Sequence, residues 1–319
     1  MTETTRPTAG FSRVRVDAFE DVPEEPGSPK PDPILVADSV TRRFGGLTAV
    51  DVDHLEFQRG VITGLIGPNG AGKTTLFNLL TGFDKANTGV WRFEGQEVRG
   101  LSAHRVAKLG MVRTFQLTKA LSRLSVLENM KLGAPDQSGE RFFSALVPPR
   151  WRMQEIANEK KAEALLERFN LAHMRDEFAG SLSGGQRKLL EMARALMVDP
   201  HLVMLDEPMA GVNPALAQSI ISHVQDLAAE GLTVVFVEHD MDVVRTISDW
   251  VVVMAEGRVI AEGKHSSIVA DSRVIDAYLG RHHGTPVTDE DEEKILAEAQ
   301  AEIEAELEAD EKARQEEGA

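Results

Sequence analysis

The nine residues "GPNGAGKTT" (residues 67–75) set three glycines, a lysine and two adjacent threonines directly behind the apolar run "VITGLI". They fit G-x-x-x-x-G-K-[ST], the pattern of a loop that cradles phosphate between a strand and a helix. Gly67, Gly70 and Gly72, with Pro68, Asn69 and Ala71 between them, let backbone N–H groups curl around an anion. Lys73 would neutralise β- and γ-phosphates, Thr74 would ligate Mg²⁺, and Thr75 opens the helix. The bland alternative, a glycine-rich turn with an exposed lysine, requires neither the strand in front nor the helix behind.

A second set of groups fits the same chemistry. "HLVMLDEP" (residues 201–208) runs apolar and ends in two acids, at the carboxyl end of a strand where ligands of open α/β sheets gather. Asp206 would hold Mg²⁺ through water, and Glu207, aimed elsewhere, would accept a proton from an attacking water. His239 follows the apolar run "TVVFV" and would converge with Glu207 on a γ-phosphate. Gln116, in "RTFQLT", stands where strand character gives way to helices and could feel the phosphate. Further on, "LSGGQ" brings Ser183, Gly184 and Gly185 to the start of an amphipathic helix, a second anion-friendly terminus. Phe44 could be core, or could stack on an adenine.

These groups need elements to hold them. Residues 34–58 alternate apolar and polar like half-buried antiparallel strands around "FGGLTAV". The runs "VITGLI", "HLVML", "TVVFV" and "WVVVM" are short and continuously apolar, as in a mostly parallel sheet covered by helices. Between about residues 117 and 196 the pattern turns helical, an inserted lobe in which "RMQEIANEKKAEALLERFNL" is a long helix and the preceding "PDQSGERFFSALVPPRW" is a loop or short helix.

The 319 residues are 42% hydrophobic and contain no cysteine, so a large core is available while disulfides and thiolate metal sites are excluded. No apolar run approaches the roughly 18 residues that span a bilayer, and no secretory signal is visible, so the cytoplasm is expected. The net charge is −16, and residues 289–317 alone hold fourteen acids against three bases. That balance argues against nucleic acid as a partner. Residues 1–33 are Pro-rich and acidic and read as disordered. In the tail, residues 282–319, Ile295, Ala299, Ile303 and Leu307 recur every four residues on a very acidic helix, either solvated or docked on a partner or on its own chain. His282 and His283 have no third metal ligand nearby in sequence and read as ordinary tail residues.

Taken in order, Phe44, "GPNGAGKTT", Gln116, "LSGGQ", "VMLDEP" and His239 resemble the A-loop, Walker A, Q-loop, signature, Walker B and switch histidine of ATP-binding cassette (ABC) ATPases. The resemblance covers residues 34–280. It implies an α/β P-loop fold with an N-terminal antiparallel β-subdomain and an inserted helical subdomain, and ATP and Mg²⁺ as ligands, with Gln116 joining Thr74 and Asp206 at the metal. It also implies a head-to-tail dimer in which Ser183, Gly184, Gly185 and Gln186 of one subunit close over ATP held by the other. A narrower likeness, carried by "FGGLTAVD", the Asn-Pro of "EPMAGVNP", "VEHDMDVV", "IAEG" and "VIDAYLG", is to the ATP-binding subunits of branched-chain amino acid importers. Those work at the cytoplasmic face of the membrane with two permeases and an external solute-binding protein. Two positions depart from the pattern: Asn213 replaces the usual D-loop aspartate, and Gly184 stands where this branch more often has a bulkier residue. Of the alternatives, a soluble ABC protein of ribosomes or DNA is less well matched by one P-loop, no cysteine and a modest helical lobe, and an exporter ATPase is opposed by the importer phrases and not by the motifs.

Overall fold

The computed structural model describes residues 19–114, 121–135 and 148–279. One compact unit, Met1–Tyr278, carries every element, while a second, Leu279–Ala319, lies outside the described residues apart from its first. Gln116, residues 1–18, the acidic tail helix, His282 and His283 therefore fall outside them.

The chain opens with β1 (Pro33–Phe44) and β2 (Leu47–Gln58), an antiparallel hairpin turning at Gly45 and Gly46. Then come β3 (Ile62–Ile66), α1 (Lys73–Leu80), β4 (Thr88–Phe93) and the two-residue β5 (Gln96–Glu97). The strands β2, β1, β4 and β5, in that order, form an antiparallel sheet. After α2 (Ala103–Lys108) and β6 (Met111–Arg113), the chain leaves for the helices α3 (Val126–Leu132), α4 (Pro148–Arg168) and α5 (Gly184–Ala195). The long helix thus starts earlier than periodicity predicts, at a proline, whose fixed φ and missing N–H suit a first turn.

The chain returns through β7 (Leu202–Asp206), α6 (Pro214–Ala229), β8 (Thr233–Val237), α7 (Met241–Ile247), β9 (Trp250–Ala255) and β10 (Arg258–Gly263), and closes with α8 (His265–Ile268) and α9 (Ser272–Tyr278). The second sheet runs β10-β9-β3-β8-β7-β6, parallel throughout except for the β9–β10 pair. Its central strands are buried on both faces, which is why they read as continuous apolar runs. Alternate residues divide the core. Ile62, Val203, Val234 and Val251 face the helical lobe with α6 and α7, while Leu65, Met204, Val235 and Val252 face α1 and the antiparallel sheet. Among the described residues no helix is long and apolar enough to cross a membrane.

The N-terminal stretch corrects one expectation. Residues 19–33 are not disordered but strapped across β9 and β10. Phe19 stacks on Trp250 with ring centroids 4.5 Å apart, and Lys30 Nζ reaches Glu262 Oε2 at 3.1 Å with both side chains essentially inaccessible. The Ser28 N–H and Trp250 Nε1–H also donate to Glu262, at 2.8 and 3.3 Å. Composition alone misjudges the strap, because Phe19, Ser28 and Lys30 each meet a partner over 200 residues away.

Candidate nucleotide site

The loop at residues 67–75 takes its shape from two close approaches. A Cβ on Gly67 would stand 2.0 Å from the Met254 carbonyl oxygen of β9, and one on Gly72 would stand 2.2 Å from that of Ala49 in β2. Both glycines have positive φ, 144° and 98°, and Gly72 turns the chain directly into α1. No other residue type fits either position. Lys73 is buried and bridges the loop from inside, donating from Nζ to the carbonyls of Gly67 at 2.6 Å and Pro68 at 3.0 Å. Burial pushes its ammonium below the ordinary lysine range, with Glu207 and Asp206 pulling it back up. Asn69, Gly70 and Thr74 are exposed, Pro68, Gly72 and Thr75 half-buried, and Ala71 packs inward.

Asp206 ends β7, and Glu207 follows with φ +48°, a left-handed backbone that costs a non-glycine residue of order 1 kcal/mol. That turn separates the two acids. The Glu207 N–H donates to Val237 at the end of β8, and its carboxylate accepts from His239 Nε2 at 2.8 Å. Lys188 of α5 donates to the backbone carbonyls of Glu207 at 2.8 Å and Ala210 at 2.5 Å, fastening the turn from the lobe. Buried Glu238 fixes the far side, accepting from the Met209 N–H at 2.7 Å, and burial raises its carboxyl above the usual range.

Asp206 has a partner that sequence reasoning missed. Arg113, at the end of β6, is buried and donates to Asp206 Oδ2 at 2.5 Å with one arm and to Asn78 of α1 with the other. Thr74, Arg113, Asp206 and Glu207 line one cavity of about 550 Å³, together with Lys188 and Glu191 of α5. Thr74 and Asp206 are the hard oxygen donors Mg²⁺ prefers, and among the described residues no cluster of three or more His, Cys, Asp or Glu forms a metal cage. The donor set fits a cation that keeps waters and shares substrate phosphates.

The second glycine pair does something different at each position. Ser183 caps α5: its hydroxyl accepts from the Gln186 N–H at 3.2 Å, while Gln186 Oε1 accepts from the Ser183 N–H at 2.9 Å. Gln186 is thus folded back on the cap. A Cβ on Gly184 would meet nothing within 4 Å, whereas one on Gly185 would stand 1.5 Å from Leu216 Cδ2. Gly184 offers open backbone, and Gly185 lets α5 and α6 touch. Asn213 caps α6, accepting from the Leu216 N–H at 2.9 Å, a bond that aspartate would make equally well. Phe44 is not core. It is exposed at the end of β1, with the Arg42 guanidinium 4.3 Å over its ring.

Arg113, Lys188, Glu191 and Glu238 were invisible as site residues because each acts on a residue far along the chain or on the cavity itself. Only the charges in "RTFQ" and "VEHDM", next to Gln116 and His239, could have drawn attention to the outer two.

Comparison with known proteins agrees with this architecture. Residues 50–210 match the ABC transporter family, and residues 258–284 match a branched-chain amino acid ATP-binding cassette transporter family. A probable branched-chain amino acid transport ATP-binding protein of Archaeoglobus fulgidus is 42% identical over 77% of this chain and 95% of its own length. A high-affinity branched-chain amino acid transport ATP-binding protein of Pseudomonas aeruginosa is 39% identical over 78% of this chain and 98% of its own. Among solved structures, a nucleotide-free ATP-binding cassette from an ABC transporter superposes with a TM-score of 0.69 at 38% identity, over 78% of this chain and all of that one. An ADP conformation of such a cassette superposes equally well, again at 38% identity and 78% of this chain, over 99% of its own. A strand-loop-helix phosphate cradle, two acids parted by a strained turn and a capped glycine pair on an inserted helical lobe are thus found together with extensive identity to cassette proteins, and the chain belongs to the ABC transporter ATPases, enzymes that bind and hydrolyse ATP.

Proposed function

We propose that this ATPase powers an importer of branched-chain or related amino acids or amides from the cytoplasmic face of the membrane. The names of the relatives and the match over residues 258–284 support that solute class. The cassette spans residues 34–281 with its helical lobe at about 117–196, joined by the strap at 19–33. It works as a head-to-tail dimer, with itself or a sister ATPase, beneath two permeases served by an external solute-binding protein.

The observation that carries the catalytic reading is Glu207, held by His239 at 2.8 Å at the rim of the cavity it shares with Thr74 and Asp206. The loop amides and Lys73 hold the phosphates, and Phe44 stacks on the base. Glu207 takes the proton of the attacking water, and His239 and Gln116 orient that water and sense the γ-phosphate. Thr74, Asp206 and Gln116 would hold Mg²⁺, which would supply positive charge to the phosphates. Ser183, Gly184, Gly185 and Gln186 complete the partner's site. Purification of the tagged chain from its native membranes tests this. Two permease chains should co-purify, and recovery of ribosomal proteins in their place overturns the reading.

A further inference from the structure

While Arg113 holds Oδ2, Asp206 has only its other carboxylate oxygen to offer a metal. In this structure Arg113 claims Asp206 Oδ2 at 2.5 Å, and a second carboxylate stands by in the same cavity. That carboxylate is Glu191 of α5, whose Oε1 is buried and has no hydrogen-bond partner. The groups acting on it come from three elements: Lys188 and Arg194 on its own helix, Arg113 on β6 and Asp206 on β7. Lys188 is engaged by the carbonyls of Glu207 and Ala210, and neither it nor Arg194 satisfies Oε1.

We propose that Arg113 is a latch passed between two carboxylates: it releases Asp206 when Mg²⁺–ATP arrives and moves to Glu191, tying the core sheet to the helical lobe. This rests on the reading of Asp206 as a magnesium-side residue. One arm of the planar guanidinium stays on Asn78 as a pivot while the other changes acceptor, a motion its fork geometry allows and a lysine would not. The orphan oxygen gains a charge-assisted bond, and the guanidinium is never left buried without an anion. Because α5 begins at Gly184, directly after its cap Ser183, loading of this subunit's Asp206 would bear on the helix that carries its signature glycines. Arg113 and Glu191 are on this account positioning residues. Neither touches the reacting atoms.

The test measures equilibrium binding of a non-hydrolysable fluorescent ATP analogue to the full-length chain at pH 8, with Mg²⁺ or with EDTA, and reads the affinity gained from the metal. Glu191→Gln, which keeps the side-chain volume, should leave affinity in EDTA within twofold of wild type and shrink the metal-dependent gain about tenfold, the weight of one charge-assisted bond. In an Arg113→Met background the same Glu191→Gln change should alter the gain less than twofold. Should that background fail to fold, Arg113→Gln, which can still bond Asn78, replaces it. The latch is overturned if Glu191→Gln keeps the full gain, or if its tenfold loss persists without Arg113, since the carboxylate would then act on the metal by its charge alone. Asp206→Asn separates the premise from the proposal: it should abolish the gain in every background, and if the gain survives, the metal reading of Asp206 fails and the latch falls with it.

Discussion

Glu207 Oε1 lies 2.8 Å from His239 Nε2, joining residues 32 apart in the chain through the adjacent ends of two parallel strands. The backbone of Glu207 is strained at φ +48°, and its N–H is tied to Val237 on the strand that leads to His239. The carboxylate is therefore held by both its backbone and its tip.

This pair yields the first prediction. Glu207→Gln should lower turnover by at least about 100-fold, the weight of a positioned general base, while ATP affinity stays within about twofold. Phosphate release and nucleotide binding measured on the same preparation check it. Because the two residues act as a unit, adding His239→Ala should reduce turnover little further. Near-normal hydrolysis by Glu207→Gln would remove it as the base.

The signature glycines should part company in stability measurements. Gly185→Ala drives a methyl into Leu216 and should cost about 1–3 kcal/mol, as overpacking does, whereas Gly184→Ala meets open space and should cost nothing by crowding. Pairing Gly185→Ala with Leu216→Ala should recover part of the loss. Denaturant melts of the three variants decide it, and equal effects at the two glycines would refute the packing role of Gly185.

Loss of Lys30 should be felt throughout the fold. Lys30→Met leaves the Glu262 carboxylate buried and without its cation, a defect that typically costs about 3–5 kcal/mol. Substituting Glu262→Leu as well should restore most of the stability, because the desolvation of both charges disappears together. A chemical-denaturation cycle of the two single variants and the double reads this directly.

Stability should also carry the mark of Glu191. Burial raises its carboxyl to about 7 in the fold, from 4.5 in the unfolded chain, against the opposing pull of Arg194, Lys188 and Arg113. The folded state therefore binds more protons than the unfolded one between those values, and stability contributed by this group falls as pH rises through that window. Above about pH 7 the folded protein must ionise a buried acid, so Glu191→Gln should be more stable than wild type by up to about 3 kcal/mol at pH 8. The difference should vanish below about pH 4.5. Melts of both proteins across this range check the slope, and parallel curves would contradict it.

The phosphate loop, the strands behind Asp206 and His239 and the amphipathic α5 were legible because each is written in consecutive residues. Periodicity, glycine spacing and the acids at a strand end are local signals. Arg113 on Asp206, Glu191 beside them and Glu238 behind the Glu207 turn could not be read that way, since nothing near Arg113 in the chain announces a partner 93 residues on. Phe44 was ambiguous for the opposite reason: its neighbours suit a strand end, and only the fold shows its ring outside, under Arg42. The misjudged strap combines both limits, with too few apolar residues to look ordered and its aromatic and ionic partners, Trp250 and Glu262, remote.

That strap also sets an order of events during synthesis. Lys30 leaves the ribosome 232 residues ahead of Glu262, which at about 5–20 residues per second is roughly 10–50 s. Through that interval Phe19 has no Trp250 to stack upon and the ammonium has no Glu262 to pair with. The strap's contacts to Trp250 and Glu262 are thus among the last to form, and they close only over a chain whose β9 and β10 are already complete.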